Sequence, residues 1–247
     1  MQKQRKINAT NTALIICFTA LYTILSFLPL SQVLGLFGKY ITVATIFAPI
    51  IGILLGLYIG VLSTLLGGII ALFFSPYFSP PSLVAGVVTA LSAGLLYAGR
   101  RKLCILTYAA FLLVFGFYPF VGPFWLYPPS AWFQLAGLLI LILPLQSKVT
   151  KNLGSNNNNS WLLFAFFITS LTSTLAGQIA GSLVFEALIP DASFLSVYWQ
   201  VLTFLYPLER TLIALAATLI GAALYKVLES ANLTQIFNHA NRPGRPP

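Results

Sequence analysis

The sequence predicts an all-α integral membrane protein, a polytopic bundle of about eight transmembrane helices. Three observations carry that expectation. Of 247 residues, 58% are hydrophobic and only 7% charged, with a mean hydropathy of +0.91; a soluble domain carries about a quarter charged side chains. The charges sit in short clusters between apolar runs, so the net charge of +9 reads as topology determinants and not as a nucleic-acid-binding face. Ile41 to Phe74 holds no charged side chain, and small residues recur there every fourth position, at Gly52, Gly56, Gly60, Thr64 and Gly68. Positions four apart share a helix face, so this is a bare stripe that a second backbone can approach closely.

The first span is expected at 13–30, after a polar start holding Lys3, Arg5 and Lys6. Its apolar run is too long for a signal-peptide h-region, so it is read as a span and not as a cleaved leader. Residues 41–74 would make one straight helix of roughly 50 Å, against a hydrocarbon core of about 30 Å. The first reading is therefore two short spans, 41–56 and 58–75, joined by a tight turn near Gly56–Gly60; the alternative is one steeply tilted helix. The proline-rich Ser75–Ser82 breaks helix. A fourth span follows at 83–99, ended by Arg100, Arg101 and Lys102, and a fifth at 104–121. The aromatic, proline-rich loop 122–130 leads to a sixth span at 131–146. Lys148, Lys151 and the asparagine run near 155–160 form a polar linker. The seventh span is expected at 161–185, a loop at 186–196, and the eighth span at 207–228, opened by Pro207 at a first-turn position. This gives one transmembrane domain, 1–228, and a polar cytoplasmic tail, 229–247.

Charge fixes the orientation. With the N-terminus inside and alternation thereafter, the basic clusters at 3–6, 100–102, 148–151 and 226–245 all fall on the cytoplasmic side. Only Lys39 lands outside, together with Glu186 and Asp191. The expectation is a multi-pass cell-membrane protein with both termini cytoplasmic.

Several chemistries lack their residues. No G-x-x-x-x-G-K-[ST] run occurs, so a P-loop ATPase is excluded from this chain. The single histidine, His239, lies in the tail, which argues against a zinc protease or a His-dependent hydrolase, and no enzyme activity, metal site or cofactor is expected. The two cysteines, Cys17 and Cys104, imply no disulfide framework. No carboxylate falls in mid-span, which argues against coupling to an ion gradient.

Candidate contact residues cluster at the outer face. Glu209 and Arg210 form a charged pair near the outer end of the last span; they either bind a polar or anionic solute, or serve the helix dipole and snorkel to the interface. Trp125, Tyr127, Trp199 and Tyr206, with Gln178 as an amide partner, would make a cage for a flat organic solute; the competing reading is an aromatic interface belt. Of four tryptophans only Trp161 lies inside under this topology, an asymmetry a belt does not require. Ala9, Ala13 and Cys17 make a small-residue stripe on the first span, for packing within the bundle or for docking a partner subunit.

Taken together, the Ala9/Ala13/Cys17 stripe, the run Pro49-Ile-Ile-Gly-Ile-Leu-Leu-Gly-Leu-Tyr-Ile-Gly60 continuing to Gly68, and the final helix with Tyr206-Pro-Leu-Glu-Arg210 resemble the substrate-binding S component of energy-coupling-factor vitamin transporters. The resemblance covers spans 1–4 and 7–8. It implies a six-helix core, with spans 5 and 6 as an inserted pair. It also implies capture of a vitamin-like solute outside the cell, with transport driven by a coupling membrane subunit and an ATPase pair, and docking through Ala9, Ala13 and Cys17. Membrane lipid is the surrounding partner and no nucleic acid is expected. Other readings are a stand-alone channel or facilitator without ATP coupling, and a membrane scaffold or assembly protein.

Overall fold

The computed structural model describes residues 9–144, 146 and 159–230. The N-terminal basic cluster, Lys148, Lys151, most of the asparagine run and nearly all of the expected tail lie outside the described residues. The chain is a helical bundle: α1 (Ala9–Leu25), α2 (Ala44–Phe74), α3 (Pro80–Tyr97), α4 (Arg101–Gly116), the short α5 (Pro123–Leu126), α6 (Trp132–Ile142), α7 (Asn159–Leu188) and α8 (Ala192–Ser230). Two short strands, β1 (Pro29–Gln32) and β2 (Tyr40–Thr42), pair antiparallel between α1 and α2. Among these, α2, α3, α7 and α8 are long and apolar enough to cross a membrane.

The reversal inside α2 organises the rest. Gly56 has φ 72° and ψ −169°, a region that essentially only glycine occupies. Beyond it the chain folds back on itself: a Cβ placed on Gly60 would lie 3.0 Å from the Ile51 carbonyl oxygen. In an unbroken helix those residues would be roughly 13 Å apart along the axis. Segment 44–74 is thus a helical hairpin, and Ala44, Ile51 and Leu55 of the first limb share one buried cluster with Ile59 and Ala71 of the second. Gly52 and Gly60 do not lie on a common stripe; they belong to opposite limbs and face one another across the turn.

Side-chain hydroxyls then tie α1 alongside the second limb. Thr23 donates to the Gly67 carbonyl at 3.2 Å, Thr19 to that of Ser63 at 3.4 Å, and Ser75 to that of Ser26 at 2.8 Å. Helix α3 runs antiparallel to this limb, with Gly94 against the Leu57 backbone and Gly68 against Leu83. Helix α7 runs antiparallel to α3, with Gly177 beside Thr89 and Ala85 and Gly181 beside Pro81. Gly94, Gly177 and Gly181 allow close approach to a neighbouring backbone, the means of close packing available where no water drives association. Helices α4 and α6 pair antiparallel, with the Tyr108 hydroxyl donating to the Gln134 carbonyl at 2.8 Å. Arg101 donates to the carbonyls of Leu141, at 2.7 Å, and Ile142, satisfying two acceptors that the end of α6 leaves open. Among the described residues, and apart from the short α5, eight helical segments therefore alternate in direction.

Helix α8 differs from the expectation. Residues 192–196 of the expected loop are helical, and Pro207 lies inside a helix of 39 residues, so it does not open the span. A proline within a helix removes the N–H that would bond the carbonyl four residues earlier, here that of Thr203. The Trp132 indole N–H fills the place, donating to the Thr203 carbonyl at 3.1 Å. Asp191 starts the helix: its carboxylate accepts from the backbone N–H of Ser193 at 2.9 Å and of Phe194 at 3.2 Å, a side-chain cap. A polar cap followed by an interior proline misled the sequence reading, because the substitute donor comes from 71 residues away.

Candidate functional site

Where the bundle carries the β1–β2 hairpin, it also holds a cleft. Val33, Ile41 and Thr45 close one side, the start of α3 (Ser79, Pro81, Ser82, Ala85) a second, and the end of α7 a third. Tyr198, Tyr206 and Arg210 of α8 complete it. The cleft is small, with a cavity volume of about 70 Å³. Its floor is tight because α3 and α7 touch at Gly177 and Gly181: a Cβ on Gly177 would come 2.4 Å from the Ala85 carbonyl.

Helical spacing brings the α7 contribution together. Gln178, Gly181, Ser182 and Phe185 stand at i, i+3, i+4 and i+7, one face of the helix. Gln178 is buried, and neither its amide nitrogen nor its amide oxygen has a hydrogen-bond partner. From α8 comes Arg210, also buried, with an unpartnered Nε. A guanidinium nitrogen of Arg210 lies 3.6 Å from the Glu209 carboxylate, and its planar head sits 5.8 Å from the centre of the Tyr206 ring. The Tyr198 and Tyr206 hydroxyls are 3.3 Å apart, and those of Ser79 and Ser82 are 2.9 Å apart. Tyr198 stacks on Phe185 at 4.8 Å between ring centroids. A buried polar group without a partner costs about 1–3 kcal/mol; two such side chains, Gln178 and Arg210, line this cleft.

Of the seven residues expected to contact a solute, Gln178, Tyr206 and Arg210 line the cleft and Glu209 neutralises Arg210 from beside it. Trp199 is fully buried, donates to the Val121 carbonyl at 3.1 Å and packs edge-on against Phe115; it holds the 117–131 segment on α8. Trp125 is 62% exposed and packs edge-on against Phe117, and Tyr127 packs at the margin of the main core. None of these three lines the cleft. Sequence reading passed over Ser79, Ser82, Ser182, Ile41 and Thr45. Ser182 was the legible one, standing four residues after Gln178 on a helix. The α1 stripe shows Ala13 and Cys17 exposed; the side chain of Ala9 lies outside the described residues.

No family profile, curated protein or solved structure matches this chain at a significant level. The functional reading therefore rests on the residues themselves. Among the described residues no group of three histidine, cysteine or acidic side chains is placed to hold a metal ion.

Two further acids, Glu186 and Asp191, lie at this end. Glu186 is buried, and its carboxylate oxygens have no hydrogen-bond partner, but it does not line the cleft. Asp191, fully exposed in the link between α7 and α8, titrates below the ordinary carboxylate range because the Ser193 hydroxyl and the backbone N–H groups of Phe194 and Ser193 bond its charged form.

Proposed function

We propose that the chain is a membrane-embedded binding subunit that takes up a small, vitamin-like organic solute from outside the cell. The observation that carries this reading is the cleft with two buried, unpartnered polar side chains, Gln178 and Arg210, on facing helices. In the proposed topology eight spans cross the cell membrane with both termini cytoplasmic. Lys39 and Asp191 then lie on the outer side with the mouth of the cleft, and Arg100, Arg101 and Lys102 on the inner side, in keeping with the positive-inside bias. The first limb of α2 is short for a full crossing, and its apposed partner limb supplies the rest of the hydrophobic depth.

The chain's role is that of an S component of an energy-coupling-factor transporter. A coupling membrane subunit and an ATPase pair supply the energy, since this sequence has no P-loop. Ala13 and Cys17, exposed on α1, form the docking stripe with Ala9. The chain itself catalyses no reaction in this proposal.

The test is purification in mild detergent, followed by denaturation and mass spectrometry of released small molecules. The proposal expects one compound present near one per protein and depleted by Gln178→Leu. A preparation that carries no solute, and that no small molecule stabilises, would favour a membrane scaffold instead.

A further inference from the structure

The hydrogen-bonding inventory of the cleft narrows the class of solute. Gln178 carries an amide nitrogen with two N–H donors and an acceptor oxygen, and neither atom has a partner. Arg210 Nε adds a further unused donor.

Charge separates the candidates further. Glu209 lies 3.6 Å from the Arg210 guanidinium, so the pair has no net charge. A carboxylate solute offers acceptors only, leaving the Gln178 oxygen unmet, and it would approach Glu209 against like-charge repulsion in a poorly screened place. A cationic solute would meet Arg210. An uncharged solute with an N–H beside a C=O answers both atoms of Gln178 at once. Its apolar faces suit Val33, Ile41, Pro81 and Phe185.

Resting on the binding-subunit reading above, we infer that the cleft recognises an uncharged cyclic amide or ureide, with the N–H/C=O edge of its ring paired to Gln178 and a further carbonyl on Arg210 Nε. Recognition of this type is selective, because a solute lacking the N–H leaves a buried acceptor unpaired.

The experiment is a thermal-shift titration of the full chain in detergent with three probes of similar size: uracil, 1,3-dimethyluracil and benzoate. The inference expects a dose-dependent rise in melting temperature with uracil and none with the other two. Gln178→Leu should weaken the uracil response by about tenfold or more, while its own melting temperature without ligand shows that the fold persists. Because dimethyluracil removes the N–H from the solute and leaves the protein intact, the contrast does not depend on that variant folding. A response to benzoate alone, or equal responses to uracil and dimethyluracil, would overturn the amide-edge inference and leave a solute site standing. Silence from all three would overturn the inference, and the mass-spectrometric search then decides the binding-subunit reading separately.

Discussion

The Trp132–Thr203 hydrogen bond across Pro207 can be tested by a double-mutant cycle. Trp132→Phe keeps an aromatic ring but removes the indole donor, leaving the Thr203 carbonyl with neither a helical N–H nor a substitute. Thr203 is only 5% exposed, so water does not replace the lost donor. The expected cost is about 1–2 kcal/mol, or roughly 2–8 °C in melting temperature for a chain of this size. Pro207→Ala restores an N–H four residues after Thr203 and supplies the helical bond directly. In that background Trp132→Phe should cost only the difference in ring packing, giving a coupling of about 1 kcal/mol between the two positions. Melting of the four proteins in one detergent, followed by tryptophan fluorescence and by retention of the folded peak on size exclusion, measures it. Equal losses in both backgrounds would refute the claim that the indole substitutes for the missing helical donor.

Three further outcomes are expected. Gly52→Ala should lower folded yield and cost about 1–3 kcal/mol, because its Cβ would meet the Ala90 carbonyl at 2.5 Å, whereas Gly68→Ala meets only the end of the Leu83 side chain and should be close to neutral; equal losses in thermal melts would remove the backbone-contact argument. The cap at Asp191 is present above the unfolded carboxylate pKa of about 4 and is lost as pH falls through the lower folded value, so hydrogen-exchange protection of the Ser193 and Phe194 amides should drop on acidification; constant protection would contradict it. In a background lacking Cys17 and Cys104, Phe37→Cys should react with a membrane-impermeant maleimide in intact cells and Lys102→Cys only after permeabilisation, and the opposite pattern would end the proposed topology.

Much of the fold could be read from hydrophobic runs and punctuation. The break at Gly56 was visible because an uncharged stretch too long for one crossing contains closely spaced glycines, and the two-limb reading matches the hairpin found. What could not be read was tertiary substitution. Nothing local in Tyr206-Pro-Leu-Glu-Arg210 reveals that Trp132 completes the helix there, so the proline looked like a start. The site shows the same division. Gln178 and Arg210 stood out as polar groups in apolar surroundings, and both reach the cleft. Trp125 and Trp199 stood out equally, but an aromatic ring is as useful for packing as for binding, and only the placement of Val121 and Phe115 showed that Trp199 is structural.

The central claim, that solute is held between α7 and α8 and not under the 122–130 loop, is tested most directly by titrating the solute released from the native protein into three purified forms: native, Arg210→Gln and Trp125→Ala. The account predicts that Arg210→Gln loses a charge-assisted bond of about 1.5–3 kcal/mol, roughly ten- to 150-fold in affinity, while Trp125→Ala binds within about twofold of native because its ring does not line the cleft. Loss of binding in Trp125→Ala with Arg210→Gln unaffected would contradict it.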